Sequence, residues 1–379
     1  MNAASIPTRA KLILAMDAGA TTTRALLTDL QGNEFGHIEG PSLNVRHRDK
    51  ERFRKIVIEL FSELQAQADA VGLVPDAVTV GAAGAGSKRD RVLLREVLQN
   101  RWASALVLVH HDAYIAQYGA FNGGPGVIVT AGTGSIAYGR NEKDEEIRSG
   151  GWGWMLGDEG SAWWIAREAV RAVLRAHEGG PETGLTEKAL AYFQVEKPYD
   201  IFTIVYKARY EHSKLNDLSK EVTALAEEGD EVSRAILHQA GVELGRLGTS
   251  CAHRLGIPAE QLEVALMGGV GTGAYNWLQP GVMESLHAYA GRPVEQEKPH
   301  SLPMEMRDLP DVPVSEDEID KITPSPAGEP TITPQFPDYP PRDLTPESEV
   351  GPRLILPRMD ALRGAAQWAR DEMLKRKFA

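Results

Sequence analysis

The chain has 379 residues, 42% of them hydrophobic and 25% charged, the balance of an ordinary globular protein of two or three domains. A single cysteine, Cys251, excludes an internal disulfide and any all-cysteine metal cluster built within one chain. A formal charge of −12 argues against a nucleic-acid partner held on a basic surface, and the apolar run Leu12–Met16 is too short for a signal-peptide core or a membrane span, so a cytoplasmic protein is expected.

In chain order, KLILAMDAG (11–19) reads as a buried strand entering a small-residue turn. TTTRALLTD (21–29) reads as the returning strand and EFGHIE (34–39) as a third, across the QGN turn. Apolar residues at helical spacing follow over 49–70, then a strand at 76–84, a helix at 87–101, a strand at 105–112 and a helix to about 121. The pattern restarts at GVIVTAGTGSIAYGRN (126–141), strand–turn–strand, with EEIRSGGWG (145–153) as the third strand and 159–178 as the helix. Helices are expected near 186–194, 218–227 and 231–255, a strand at 262–270 that ends in glycines, and a helix at 272–290. A β-β-β-α-β-α-β-α unit that recurs predicts two similar α/β lobes with a cleft between them, strand C-termini facing the cleft.

Residues 291–352 break this pattern. They hold 14 of the 23 prolines, and 14 acidic against 5 basic residues. Proline blocks helix interiors and central strands, and low hydrophobicity with excess charge does not offset the entropy of ordering. The segment is read as an irregular insertion. The PxxP spacing in PDYPPR (337–342) leaves a Pro-rich docking arm as the alternative. The expected organisation is a first lobe over 1–117, a second over 118–290, and the insertion, with a closing helix over 357–379 free to pack back on the first lobe.

Three small-residue turns carry candidate chemistry. In DAGATTT (17–23), a carboxylate ends a strand before a turn that lets backbone N–H groups approach phosphate oxygens, and hydroxyls follow. Asp17 is placed to hold a hydrated Mg²⁺, with Gly19, Thr21 and Thr22 at the phosphates; an ordinary hairpin turn uses the same residue types. TAGTGS (130–135) repeats the device, and Gly132, Thr133, Gly134 and Ser135 would clamp the same phosphate chain from the other lobe. In MGGVGTG (267–273), Gly268 and Gly269 offer bare backbone to a base or ribose, or simply start a helix. No GxxxxGK[ST] signature is present, and GAAGAGS (81–87) has the wrong spacing and position for a dinucleotide fingerprint.

DAGATTT, HHDA (110–113), TAGTGS, GGWGWMLGDEGSAWWIA (150–166) and MGGV (267–270) occur in an order that resembles the BadF/BadG/BcrA/BcrD ATPase family, of the actin-like, sugar-kinase and heat-shock ATPase superfamily. The N-acetylglucosamine kinase branch is the most similar. The resemblance covers about 1–290 and 353–369, and the first loop departs from it, with Ala18 and Ala20 where glycines are usual. It implies two actin-like (ribonuclease H-like) lobes, ATP and Mg²⁺, and an ATP-dependent phosphotransferase that acts on an amino sugar, N-acetylglucosamine to its 6-phosphate being the first choice. Glucosamine, N-acetylmannosamine and N-acetylmuramic acid stay open as substrates, and so does a homodimer.

Asp112 ends a strand at a helix start, where a carboxylate can accept the proton of an attacking hydroxyl. The family's strand-end Asp base supports this role; a helix N-cap is the competing one. The resemblance further implies sugar contacts from Asn44, Asp112, Gly151, Trp152, Gly153 and Asp158, although Asp158 also suits a helix cap. Trp163 and Trp164 read as packing, His110 and His111 as bystanders without a further ligand, and Cys251 as a small core residue. Two other classes remain. The family's dehydratase activators share an iron–sulfur cluster between subunits with two cysteines from each, which one cysteine per chain cannot supply. A non-catalytic sugar or nucleotide sensor would gain nothing from Asp112. If the insertion is irregular, replacing it with a short Gly/Ser linker is expected to leave turnover within a few-fold. Lost turnover with intact ATP affinity would make the segment a lid over the sugar.

Overall fold

The computed structural model describes residues 11–19, 22–43, 50–67, 73–206, 212–290 and 351–378. The insertion up to residue 350, Thr21 and Asn44 lie outside them. The described residues fall in one compact unit.

The first lobe runs β1 (Leu12–Ala18), β2 (Thr22–Asp29), β3 (Glu34–Pro41), α1 (Lys50–Gln67), β4 (Ala77–Ala82), α2 (Lys88–Arg101), β5 (Leu106–His110) and α3 (Asp112–Phe121). Its sheet has the order β3-β2-β1-β4-β5. β1 meets β2 antiparallel and β4 parallel, and β5 is parallel to β4. Successive side chains of a strand point to opposite faces. Leu12, Leu14 and Met16 therefore join α1 and α2 in one core, with Phe53, Leu60, Leu94 and Leu98. Ile13 and Ala15 join a second core on the other face. Two covered faces explain why β1 and β4 read as nearly continuous apolar runs and do not alternate.

The second lobe repeats the plan with β6 (Gly126–Ala131), β7 (Ser135–Arg140), β8 (Glu146–Gly150) and α4 (Ala162–His177). A helical insert follows: α5 (Leu185–Phe193), α6 (Pro198–Val205), α7 (Leu218–Glu228) and α8 (Glu231–Arg254). Then come β9 (Glu263–Met267), α9 (Gly268–Gly273), α10 (Tyr275–Ala290), β10 (Arg353–Ile355) and α11 (Ala361–Phe378). The sheet order, β8-β7-β6-β9-β10, matches the first lobe strand for strand. The duplication is therefore complete, and the fold is the two-lobed actin-like one. The three-residue β10 and the short α6 and α9 carry too few residues for a period to register. Cys251 is buried in the second core. No described helix is long and apolar enough to cross a membrane.

The two helices that end the repeats cross each other. α11 packs on the first lobe: Leu362, Ala365, Ala366 and Ala369 share a core with Ile13 and Ala15 of β1, Ala77 of β4 and Ile115 of α3. α3 turns its other side to the second lobe, with Ala120 and Phe121 against Ile128, Tyr138 and Ala265. At the crossing, Gly119 and Gly364 meet backbone to backbone. A Cβ on Gly364 would lie 2.2 Å from the Ile115 carbonyl oxygen and 2.6 Å from the Gly119 nitrogen. Gly364→Ala must therefore push the helices apart. It is expected to lower stability by about 1–3 kcal/mol, as overpacking does, read as a clear drop in thermal midpoint; an unchanged midpoint would show that the crossing is loose.

Candidate active site

Asp17 is the next-to-last residue of β1 and lies on the strand face that carries Ile13 and Ala15. In the antiparallel register it stands opposite Arg24, whose Nη2 donates to Asp17 Oδ2 at 2.5 Å. The carboxylate is only 14% exposed. Burial raises its pKa, the Arg24 hydrogen bond and charge oppose that, and the charges of Asp112 and Asp360 push it further up. Asp360 sits just before α11, where its Oδ1 accepts from Arg363 N. Asp112 and Asp360, from two helix starts, thus act on Asp17 at the strand end, with Arg24 as the cation bonded to it. Such a pole has the donor chemistry to hold a Mg²⁺ ion, which would relieve the repulsion among the carboxylates. In the same turn the Gly19 carbonyl accepts from Ser42 Oγ, and Thr22 is exposed. Thr23 serves the fold, because its Oγ1 accepts from Leu43 N in the buried interior.

Asp112 opens α3, but it is not the cap. The N-cap is His111, whose Nδ1 accepts from Tyr114 N at 3.1 Å. Asp112 occupies the first turn, where the helix dipole favours a negative charge, and its Oδ1 accepts from the adjacent Ala113 N at 2.9 Å. The competing role that sequence allowed Asp112 belongs to its neighbour.

In the second lobe the β6–β7 hairpin is braced from behind. Gly132 N donates to the Gly134 carbonyl, and Ala162 N to the Gly132 carbonyl. Ser135 is buried, and its hydroxyl donates to the Glu159 carbonyl at 2.7 Å, so it is committed within the fold, while Thr133 is exposed. Asp158 adopts a left-handed conformation at φ +58°, which Asp tolerates better than most residues. Its Oδ1 accepts from Ser135 N at 3.2 Å, and a Cβ on Gly134 would lie 2.7 Å from its Oδ2. Asp158 is therefore wedged against the hairpin. It does not cap α4, a role taken by Ser161. Gly151 N donates to the Ser135 carbonyl, which ties the Gly151–Gly153 turn to the same hairpin. Trp152 is 54% exposed, while Trp163 and Trp164 are buried.

A cavity of about 660 Å³ adjoins this hairpin. Gly132, Thr133, Gly269, Gly273, Asn216 and Lys220 line it, bringing the second and third glycine turns to one space. The two neighbouring glycines differ in kind. Gly268 has φ +84°, and a Cβ there would lie 2.4 Å from the Ala131 carbonyl oxygen, whereas a Cβ on Gly269 would meet nothing within 4 Å. Arg24, Asp360, His111 and the second-lobe Glu146 are site neighbours that the sequence reading did not find. Only Arg24 had a signal, the hairpin register that sets it opposite Asp17.

The duplicated five-stranded sheet and the crossing helices define a two-lobed protein of actin-like fold. The chain belongs to the BadF/BadG/BcrA/BcrD ATPase family, whose pattern matches residues 14–292. An N-acetylmuramic acid/N-acetylglucosamine kinase of Clostridium acetobutylicum is 28% identical over 69% of this chain and 85% of its own length. An N-acetyl-D-glucosamine kinase of Dictyostelium discoideum is 29% identical over 66% of this chain and 82% of its own. The crystal structure of a Chromobacterium violaceum protein described as an N-acetylglucosamine kinase superposes with a TM-score of 0.53 at 24% identity, covering 74% of this chain and 98% of that one.

The glycine contrast can be tested on folding alone. Gly268→Ala is expected to lower the thermal midpoint clearly, because it strains φ and strikes β6. Gly269→Ala should leave the midpoint within about a degree, or raise it slightly through the unfolded state. Equal shifts for the two would show that the turn at the cavity is not as drawn.

Proposed function

We propose that the protein is an ATP-dependent amino-sugar kinase of the cytoplasm, with N-acetylglucosamine as the first-choice substrate and the 6-phosphate as product. Its proposed partners are the amino sugar and ATP, with neither nucleic acid nor a membrane. The observation that carries the reading is the placement of Asp112: at the start of α3, relieved of cap duty by His111, and in the electrostatic company of Asp17. The names of the related kinases support the substrate class. The buried Cys251, its thiol pushed up to about 12 by burial, is unsuited to ligating a shared iron–sulfur cluster.

In the proposed reaction, the sugar hydroxyl attacks the γ-phosphorus of ATP. The new P–O bond forms as the bond to the ADP oxygen breaks, and the hydroxyl proton passes to the Asp112 carboxylate. Asp17 would hold Mg²⁺, which when bound neutralises phosphate charge. Gly19, Thr21 and Thr22 from one lobe and Gly132, Thr133 and Gly134 from the other would present N–H and hydroxyl donors to the phosphates, and Gly268 and Gly269 would face the nucleoside. Asn44, Gly151, Trp152, Gly153 and Asp158 are the proposed sugar contacts. For Asp158 this would be a second role beside bracing Gly134.

Asp112→Asn tests the base. Because His111 holds the cap, the variant is expected to keep its thermal midpoint while turnover falls by about 10²–10⁴-fold. ADP release and the mass of the sugar phosphate, measured over a panel of amino sugars, give both the rate and the substrate. Near-normal turnover would remove Asp112 as the base, with Asp158 the next candidate.

A further inference from the structure

The cap on the Asp112 helix depends on a residue of the other lobe. Histidine can accept a hydrogen bond through Nδ1 only when that nitrogen carries no proton. His111 Nδ1 accepts from Tyr114 N, so in the neutral ring the proton sits on Nε2. That Nε2 faces Glu146 Oε2 at 3.4 Å. Glu146 is the first residue of β8, in the second lobe, and its Oε1 lies 3.3 Å from His110 Nε2. Tyr138 donates its hydroxyl proton to Oε2 at 2.9 Å. His110 Nδ1 is buried without a partner among the described residues, and the ring stacks on Tyr114 at 4.0 Å. A proton on that nitrogen would be a buried orphan donor, so His110 too carries its proton on Nε2. Three donors thus converge on one carboxylate, which holds it ionised, well below the usual carboxylate range.

We propose that Glu146 is a positioning residue for Asp112: by accepting from His111 Nε2 it selects the tautomer that caps α3, and so fixes the first turn on which Asp112 stands. This rests on the reading of Asp112 as the base. A ring nitrogen from each of His110 and His111 and a carboxylate oxygen of Glu146 lie within 4.8 Å of one another, close enough for a metal triad. A metal at His111 Nε2 would need the lone pair there and would move the proton to Nδ1, against the Tyr114 N–H. The hydrogen bonds therefore favour the proton relay.

Glu146→Gln keeps the size of the side chain but leaves one acceptor oxygen for three donors, and an NH₂ group turned to His111 Nε2 favours the wrong tautomer and frees the cap. Expected are a fall in kcat of about 10- to 100-fold, the scale on which small misplacements act, and an unchanged KM for ATP. The ¹⁵N signals of the His111 ring should move from the Nε2–H to the Nδ1–H tautomer. In a His111→Asn background, where the cap needs no tautomer, Glu146→Gln should change kcat by less than about 2-fold. An undiminished kcat, an equal fall in the Asn background, or ring signals that shift only when zinc is added would each overturn the proposal, the last in favour of a metal site. If Glu146→Gln does not fold, His111→Asn against His111→Ala decides: equal kcat would overturn the capping role. Asp112→Asn separates the two readings, because an active Asp112→Asn enzyme sinks the base while the His111 tautomer still tests the relay.

Discussion

The glycine crossing of α3 and α11, Gly119 against Gly364, organises what surrounds it. Each lobe ends in a helix, and the two helices cross where neither has a side chain. α11 covers the face of the first sheet that α1 and α2 leave bare, and α3 reaches from that face to the second sheet. The segment before α11 also closes the end of α3, with Arg358 N donating to the Ala120 carbonyl and Met359 N to that of Gly119. Because both helices start near the C-terminal end of β1, their first residues, Asp112 and Asp360, come to Asp17 through topology. No local motif could assemble that group.

In the proposed site the lobes divide the chemistry. The first supplies charge: a buried carboxylate and its arginine, with two more carboxylates at helix starts. The second supplies backbone: a hairpin braced by Asp158, Glu159 and Ala162, and a cavity floored by glycines. Arg140 fastens the second lobe to α3, its guanidinium buried and donating to the Gln117 side chain, the Tyr114 hydroxyl and the Gly123 carbonyl. All three groups belong to α3 or the turn that follows it, so the helix that carries Asp112 is held by groups from both lobes.

What sequence made legible follows from range. Apolar runs, short strand patterns and glycine turns are local, so β1, β2, β6, β7 and the turns after β1 and β6 stood out. The repeated order of elements exposed the duplication although the last strand, Arg353–Ile355, lies more than sixty residues after α10. β10 itself was not legible, since three residues show no period and its pairing with β9 is a tertiary fact. The roles of single polar residues were least legible. Ser135 looked like a ligand donor, and its hydroxyl is committed within the fold. Asp158 looked like a cap or a sugar contact, and its carboxylate braces a hairpin.

The exchange at residues 111 and 112 shows why such roles escape a sequence reading. Asp is the better cap by propensity, and His111 beside it would rank as a bystander. A carboxylate that caps a helix spends its lone pairs on the first-turn amides, which lowers its basicity. A base at a helix start must therefore have the cap made by something else. Histidine can do so only with its proton held on the far nitrogen, and the acceptor there, Glu146, is thirty-five residues away on the other lobe. Under the proposed reading, the arrangement would tie the competence of Asp112 as a base to contact between the lobes, which is where a kinase that must not hydrolyse ATP needs the control to lie.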